Sequence, residues 1–219
     1  MRFGWVAPDL EPTRLVLLRH GQTPLSVERR FAGRGDIPLT EQGHEQARAA
    51  ARRLAPWPID AVVSSPLRRT RDTAAHVARE LGLPVEVDEG FVETDFGDWE
   101  GMTFAEAQRA AGEAVDKWLA DPEVAPPGGE SFAEAAARVG AAREALVERH
   151  TGRTVLVVTH VTPIKAVVQQ AMLAPLGALH RMFLETACLT EVDCYADGPM
   201  VVRSLNDTAH LDGTAAGPA

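Results

Sequence analysis

The chain has 219 residues, of which 45% are hydrophobic and 24% charged, and its formal net charge is -9. These values exclude a disordered or fibrous class and fit one α/β domain with a sizeable core. The acidic balance excludes an overall nucleic-acid-binding surface, and no apolar run approaches the ~20 residues that span a bilayer. With no secretory signal pattern at the N-terminus, we expect a cytoplasmic protein that contacts neither nucleic acid nor membrane.

Apolar runs alternate with helical patterns along the chain. Strands are predicted over residues 14–19, 60–65, 85–87 and 154–159, and on both sides of a turn at 196–199. Helices are predicted from Thr40, over 68–81, and over about 103–119, 131–150 and 163–174, with Thr40 and Ser131 as N-caps. Apolar strands separated by helices indicate an α/β fold, a three-layer α/β/α sandwich with a mostly parallel sheet and an antiparallel edge.

The sequence also predicts the bounds of the domain and the state of the two cysteines. Residues 1–13 are expected to be a tether or linker remnant, residues 14–207 one domain, and residues 208–219 a flexible tail. Cys188 and Cys194 would lie about 20 Å apart in one strand, too far for a disulfide. They are expected to be buried reduced thiols.

Two histidines follow predicted strands directly. His20 comes after the run LVLLR, and His160 comes after VLVVT. Ligands of open α/β sheets bind beyond the carboxyl ends of the strands, so the two side chains could face one pocket. A lone histidine there is usually structural, but two at equivalent positions, one beside Arg19, favour a functional site.

Three arginines begin the helix after the second strand. Arg68, Arg69 and Arg71 follow Pro66, and proline near the first turn fits a helix start, whose N–H groups attract anions. Most of these arginines are expected to be solvated. One that turns inward would join Arg19 in a pocket suited to phosphate.

Four acids lie among aromatic residues and glycines in the segment FVETDFGDWEG: Glu93, Asp95, Asp98 and Glu100. Such acids are candidates for general acid catalysis, although composition does not say which one acts. The sequence has no P-loop, no GxSxG elbow and no HExxH or CxxC spacing. Arginines and histidines around one anion suit phosphoryl transfer to a histidine nitrogen, with no metal and no cofactor.

Several spaced blocks together resemble the histidine phosphatase superfamily, also called the phosphoglycerate mutase-like family, from residue 14 to 207. RHGQT at 19–23 resembles its RHG[EQ]T signature, and SSPLRRTRDTA at 64–74 resembles SSxLxRAxxTA. VETDFGDWEG at 92–101, PGGES at 127–131 and VVTH at 157–160 resemble its later blocks. The order and spacing of the blocks make the resemblance specific, and it implies the phosphoglycerate mutase-like fold.

The resemblance implies a role for each matching residue. His20 would be the nucleophile that becomes phosphohistidine, and Glu93 would be the general acid and then the general base. Arg19, Arg69 and His160 would hold the phosphoryl oxygens. The phosphate- and substrate-binding set it implies is Arg19, Gly21, Thr23, Ser26, Arg69, His160, Val161 and Thr162.

Two positions depart from the family pattern. Ser26 stands where asparagine is frequent, so a phosphate contact there would be shorter or lost. Val161 and Thr162 replace the usual glycine pair after the second histidine. The Thr162 hydroxyl could lie near the phosphate or could cap the helix, and the sequence leaves both open.

The blocks also bear on which family member this is. The mutases carry ERHYG, whose arginine helps to bind a carboxylate, and here Thr94 and Asp95 follow Glu93. Hydrolysis of a small phosphomonoester, of the acid phosphatase type, is therefore favoured. The alternatives are a cofactor-dependent phosphoglycerate mutase-type transferase and a binding module without activity. FGDWEG and GGES resemble α-ribazole phosphatase, the cobalamin-pathway member, and also broad acid phosphatases.

A further resemblance concerns the rest of the polypeptide. SVERRFAG, HVTPIK and SLNDTAHL are similar to the phosphatase half of actinobacterial proteins in which a ribonuclease H domain precedes this one. This resemblance implies that the natural polypeptide is longer than 219 residues. A homodimer is left open by the sequence.

Overall fold

The centre of the molecule is a six-stranded sheet, seen in a computed structural model that describes residues 11–212. The strands are β1 (Thr13–Arg19), β2 (Ala61–Ser64), β3 (Val85–Val87), β4 (Thr154–Thr159), β5 (Leu189–Cys194) and β6 (Met200–Asp207). Their order is β3-β2-β4-β1-β5-β6. The first four are parallel, while β5 pairs antiparallel with β1, and β6 antiparallel with β5. The predicted antiparallel edge is confirmed.

Helices cover both faces of this sheet. They are α1 (Pro24–Val27), α2 (Glu41–Leu54), α3 (Arg68–Leu81), α4 (Phe104–Ala120), α5 (Phe132–Arg149) and α6 (Val161–Ala171). Side chains of α2 and α3 pack on one face, and those of α5 and α6 pack on the other. This is the predicted three-layer α/β/α sandwich.

The uninterrupted apolar run of β1 follows from burial on both faces. Leu15 and Leu17 belong to the core under α5 and α6, whereas Val16 and Leu18 belong to the core under α2 and α3. All four side chains are fully buried. Successive side chains of a strand point to opposite faces, so a strand between two helix layers needs apolar residues at every position.

Local signals set most helix ends as predicted. Thr40 and Ser131 accept N–H groups of the first turns of α2 and α5, and Gly82 ends α3 with φ of 68°. The prediction of about 163–174 for α6 was wrong at both ends. This helix begins two residues earlier, at Val161, and ends three residues earlier, at Ala171. The short helix α1 was not predicted.

Parts of the predicted tether and tail are folded. Thr13, the last residue of the predicted tether, begins β1 opposite Cys194 and so belongs to the sheet. Residues 209–211 form a 3₁₀ turn in which Leu211 is buried and His210 bonds to the Ala187 carbonyl. The rest of the predicted tail, residues 213–219, lies outside the described residues, as do residues 1–10 of the predicted tether.

Two further expectations concern the thiols and membranes. Cys188 and Cys194 are both free and buried, and burial raises the pKa of the Cys188 thiol to about 12 and that of Cys194 to about 11. Neither is a reactive thiolate at neutral pH. Within residues 11–212, no helix combines the length and the apolar character needed to cross a membrane.

Candidate active site

The two histidines meet at the carboxyl edge of the sheet. β1 and β4 are parallel neighbours in which Arg19 is opposite Thr159, so His20 and His160 leave the sheet side by side. Their ring centroids are 5.3 Å apart and the rings are edge to face. The structure thus brings together the two histidines that the sequence places at equivalent strand ends.

His20 is held as one tautomer. Its Nδ1 lies 2.8 Å from the Gly21 carbonyl oxygen, and because a carbonyl only accepts, Nδ1 carries the proton. Nε2 therefore keeps its lone pair. Burial lowers the pKa of His20 well below its ordinary value, and the charges of Arg69 and Arg19 lower it further. His20 is a neutral imidazole at neutral pH, with a nucleophilic nitrogen available.

Gly21 is required by close packing. A Cβ at Gly21 would lie 2.4 Å from the Gly43 carbonyl oxygen, and a Cβ at Gly43 would lie 2.1 Å from the Gln22 carbonyl oxygen. Both distances are too short for any side chain. The glycine of the RHG block therefore lets the loop after β1 rest directly on the first turn of α2.

His160 has both ring nitrogens occupied. Its Nδ1 accepts from Arg69 Nε at 3.2 Å, so Nε2 of the neutral ring carries the proton and donates it to Ser65 Oγ at 2.7 Å. Burial lowers the pKa of His160 well below its ordinary value, and Arg69 and His20 add to that effect. Ser65, which accepts the Nε2 proton of this tautomer, lies in the SSPLRRTRDTA block but was not predicted as a site residue.

Arg69 is the arginine that turns inward. It is fully buried, while Arg68 and Arg71 are exposed. Besides the bond to His160, its Nη1 donates to the Gly35 carbonyl and its Nη2 donates to the carbonyls of Ala32 and Gly33. The phosphoryl contacts that the resemblance implies for Arg69 and His160 would require some of these hydrogen bonds to be exchanged.

Arg19 is bonded differently. Its Nη1 donates to the Leu184 carbonyl at 2.6 Å, whereas its Nε is buried and has no hydrogen-bond partner among the described residues. Arg19 also lines the cavity in front of His20. A buried donor without a partner is uncommon in proteins and at this position can donate to an anion.

The Glu93 side chain contacts the first turn of α6. Its carboxylate accepts the N–H groups of Val161 and Thr162 at 3.1 and 3.2 Å, and that of Thr94 at 2.9 Å. His160, the N-cap residue, makes no side-chain capping bond, so Glu93 satisfies the first turn instead. This contact from a distant segment explains why α6 begins before the predicted residue. Glu93 also lines the cavity.

The remaining predicted residues lie around the same cavity. Thr23 and Ser26 form a capping box at α1, in which each accepts the other's backbone N–H, so the Ser26 hydroxyl is already bonded. Thr162 is the second residue of α6 rather than its cap, and its side chain lines the cavity beside Val161. The capping alternative for Thr162 is therefore wrong.

Sequence reasoning missed much of the cavity wall. The cavity has a volume of about 280 Å³. One side is aromatic, and other parts carry positive charge; the missed lining residues are Arg30, Phe31, Ala32, Phe96, Trp118, Phe132, Lys165, Leu179 and His180. The HVTPIK motif contained Lys165, which lies four residues after Val161 and therefore on the same helix face.

Glu100 supports the site without lining the cavity. Its carboxylate accepts the N–H groups of Gly33 and Gly35, whose carbonyls in turn accept from Arg69. Of the four candidate acids, Glu93 faces the cavity and Glu100 holds this loop. In residues 11–212, no three histidine, cysteine or acidic side chains form a group that could hold a metal ion.

The chain is similar to a known family and to a longer relative. Residues 15–208 match the family model of the Histidine phosphatase superfamily (branch 1). A Mycobacterium tuberculosis protein named a bifunctional protein is 50% identical over 209 residues, which are 95% of this chain and 57% of that protein. The chain thus spans less than two thirds of that relative.

Two solved structures of named phosphatases share the fold. One is the mycobacterial glucosyl-3-phosphoglycerate phosphatase in complex with VO3, at 34% identity and a TM-score of 0.82, covering 90% of this chain and 100% of that one. The other is the alpha-ribazole phosphatase from Shigella flexneri, at 28% identity and a TM-score of 0.81, covering 89% and 96%.

Proposed function

The chain belongs to the histidine phosphatase superfamily, and from that membership we propose that it hydrolyses small phosphomonoesters through a phosphohistidine formed on His20. The observation that carries the proposal is the state of His20. Its Nδ1 proton is held by the Gly21 carbonyl, and burial keeps the ring neutral, so Nε2 can attack phosphorus. His20 lines the cavity in which a phosphoryl group would be bound.

Arg19 supplies the positive charge beside the nucleophile. Its unpartnered Nε can donate to a phosphoryl oxygen, and the hydrogen bond from Nη1 to Leu184 fixes the guanidinium. Charge that develops on the oxygens in the transition state is then stabilised by a donor already in place. This arrangement supports a reaction that needs no metal ion.

Glu93 completes the reaction as general acid and base. In the first step Nε2 of His20 bonds to phosphorus, the P–O ester bond breaks, and a protonated Glu93 gives its proton to the leaving alcohol oxygen. In the second step water attacks phosphorus, Glu93 takes the proton of that water, and the N–P bond breaks to release inorganic phosphate. The hydrogen bonds from the start of α6 hold the carboxyl group at the cavity.

Arg69 and His160 hold the nucleophile's surroundings. Hydrogen bonds connect Ser65 to His160, His160 to Arg69, and Arg69 to carbonyls of residues 32–35. These bonds restrict the movement of the side chains next to the His20 ring. We propose that these two residues position His20, and that any direct phosphoryl contact follows exchange of one of their bonds. Positioning of this kind raises the rate by keeping reacting atoms aligned.

The similar proteins also suggest substrates to test and a second domain in the natural polypeptide. The phosphatase relatives support α-ribazole phosphate and glucosyl-3-phosphoglycerate as substrates to test. The longer relative is named a bifunctional protein, which supports the proposal that a ribonuclease H domain precedes this one in the natural polypeptide. Location in the cytoplasm remains a prediction.

The first test is turnover with a trapped intermediate. We expect phosphate release from p-nitrophenyl phosphate, α-ribazole phosphate, glucosyl-3-phosphoglycerate, 3-phosphoglycerate and sugar phosphates to persist in excess chelator. His20→Ala should lower kcat by at least about a thousandfold, the scale expected when a nucleophile is lost. Alkaline quenching of Glu93→Gln during turnover should show one added phosphoryl group on the peptide that contains His20.

The control is His76→Ala, which removes a histidine outside the cavity and should keep turnover within about twofold, as for a surface position. Loss of wild-type activity on chelation would overturn the metal-independent reaction. Turnover in His20→Ala would overturn the assigned nucleophile. Conversion of 3-phosphoglycerate into its 2-isomer without phosphate release would establish a mutase instead.

A further inference from the structure

Lys165 is a half-buried cation that has no partner in the part of the chain that the structure describes. It is one of only two lysines in the chain, and the other, Lys117, is exposed and pairs with Glu113 at 2.7 Å. Among residues 11–212, no hydrogen-bond acceptor or acidic group lies within bonding distance of Lys165 Nζ. Burial lowers the pKa of Lys165, with Glu93 opposing that effect. A half-buried ammonium is costly unless something pairs with it.

A second cavity continues from the active-site cavity at this lysine. Its volume is about 460 Å³, and both cavities are lined by Arg19, Ser26, Arg30, Val161 and Lys165. The second cavity lies between the start of α6 and the end of α1, and residues 183–186 form another part of its wall. A substrate whose phosphoryl group faces His20 can therefore extend its alcohol half toward Lys165.

The charges around the second cavity do not cancel. Arg30 is paired with Glu28 and Glu106, both at 2.6 Å, and Arg19 faces the phosphoryl site. Two cations remain, Arg29 and Lys165, while one acid, Glu185, lines the same cavity. No ion pair joins any of these three within the described residues.

Arg29 occupies a backbone position that favours glycine. Its φ is 54°, just after the C-cap of α1. A residue with a side chain in the left-handed region costs about 1 kcal/mol relative to glycine. The chain thus presents a guanidinium at the cavity where a smaller residue would fit the backbone better.

We propose that Lys165, with Arg29, forms a subsite for a second anionic group carried by the alcohol half of the substrate. The proposal deepens the proposed phosphatase function, since it names phosphomonoesters with a further carboxylate or phosphate as preferred substrates. The residues after Glu93 lack the cation by which mutases bind a carboxylate. In this chain a cation comes from α6 instead, an element that sequence reasoning did not connect with that task.

Binding to an inactive variant tests the subsite without turnover. The ligands are 3-phosphoglycerate and glycerol 3-phosphate, which share a carbon skeleton and differ in a carboxylate against a hydroxymethyl group. By titration calorimetry we expect His20→Ala to bind 3-phosphoglycerate about tenfold more tightly than it binds glycerol 3-phosphate. This ratio is the scale of one charge-assisted hydrogen bond. Fructose 1,6-bisphosphate against fructose 6-phosphate makes the same comparison for a second phosphate.

Three second substitutions, each added to His20→Ala, locate the preference. Lys165→Met keeps the length of the side chain without its charge and should reduce the tenfold ratio to about twofold or less, since the charge-assisted bond is lost. Glu185→Gln removes the opposing charge and should increase the ratio. Lys117→Met, a matched change at the exposed lysine, should leave it unchanged.

The outcomes separate the two proposals. Equal affinity for both members of each ligand pair, or no binding of any of the four, would overturn the subsite. A preference that survives Lys165→Met would overturn the assignment to Lys165. If wild-type protein releases phosphate from p-nitrophenyl phosphate while His20→Ala shows no preference, only the subsite fails. If no substrate is turned over but the preference depends on Lys165, the subsite stands and the phosphatase proposal fails.

Discussion

A buried arginine, Arg69, and a partly buried one, Arg19, lie near His20, and their hydrogen bonds differ in kind. Arg69 gives four N–H groups to protein acceptors, His160 and three backbone carbonyls. Arg19 gives one N–H group to a carbonyl, and its buried Nε has no partner within residues 11–212. The first pattern stabilises the folded site, whereas the second leaves a donor for a ligand.

Substitution by lysine should separate these roles. Arg69→Lys keeps the charge but loses the planar fork, so we expect the free energy of unfolding to fall by about 3 kcal/mol, as when a buried polar network is broken. Arg19→Lys should change the free energy of unfolding by less than about 1 kcal/mol, because only one protein acceptor is left unpaired. Its kcat/KM should fall by at least about tenfold, since one charge-assisted bond to the phosphoryl group is lost.

Urea unfolding and steady-state kinetics on the same two variants give the measurement. Arg68→Lys, at an exposed position of the same helix turn, is the matched control and should alter neither quantity. An unfolding free energy unchanged in Arg69→Lys would show that its carbonyl contacts are unimportant for stability. Unchanged kinetics in Arg19→Lys would remove Arg19 from the phosphoryl site.

Single residues also show where sequence reasoning stopped. The pattern predicted an inward arginine, but its spacing alone does not distinguish Arg69 from Arg68, and the family resemblance made that choice. Ser65 and Lys165 were missed because their importance comes from partners that are distant in sequence: Ser65 from His160, and Lys165 from a cavity shared with α1. Neither residue type is rare enough at its position to indicate this.

At the level of elements, an irregular loop is fixed from two sides. Residues 32–35 offer carbonyls to Arg69 and N–H groups to the Glu100 carboxylate. A Cβ at Gly33 would lie 2.6 Å from the Thr94 carbonyl oxygen, so the loop also touches the segment that carries Glu93. Glu100 thereby connects the acid-bearing segment with the arginine behind His20.

Substitution of Glu100 should lower both stability and activity, although Glu100 does not line the cavity. Glu100→Gln replaces a charged acceptor of two N–H groups by a neutral one, and we expect the free energy of unfolding to fall by about 1 kcal/mol. Because Arg69 loses a rigid set of acceptors, kcat should fall by about three- to tenfold with KM changed less. Urea unfolding and kinetics with p-nitrophenyl phosphate measure both effects.

Asp98→Asn is the control for Glu100→Gln, since Asp98 is exposed in the same segment. If KM rises as kcat stays constant, Glu100 acts on substrate binding and not on positioning. If Asp98→Asn lowers kcat equally, the effect comes from the charge of the segment and not from the hydrogen bonds of Glu100 to residues 33 and 35.

Elements differ in how far local signals determine them. β1 and β4 are long apolar runs, and α2 and α5 begin at threonine or serine caps, so all four were predicted closely. The start of α6 was wrong because its first N–H groups are satisfied by Glu93, about seventy residues earlier, instead of by a local cap. The 3₁₀ turn at 209–211 was missed because nothing in the local sequence indicates that Leu211 is buried.

At the scale of the whole molecule, burial keeps many histidines neutral. Five of the seven have a lowered pKa, with burial as the first cause in each: His20, His76, His160, His180 and His210. In the unfolded chain the same rings titrate near their ordinary value of about 6.5. Below that pH the unfolded state therefore binds more protons than the folded state.

Stability should consequently fall on acidification. The histidine contribution is fully present above about pH 6.5 and is lost as the pH falls toward the lowered folded values, with His20 and His160 alone costing about 3 kcal/mol by pH 5.5. The three less buried histidines add smaller amounts because solvent screens them. Urea unfolding at pH 7.5, 6.5 and 5.5 measures the change, and pH 7.5 against 8.5 is the control interval, in which the histidines add nothing.

The same pKa shifts predict how activity depends on pH. Because burial lowers the pKa of His20 well below its ordinary value, we expect acid to unfold the protein before it protonates the proposed nucleophile. Turnover at low pH should therefore decline together with the folded fraction, measured by circular dichroism in the same buffers. A free energy of unfolding that is flat or rises between pH 7.5 and 5.5 would contradict neutral burial of the histidines. Turnover lost at a pH where the protein is fully folded would show that a group in the site titrates first.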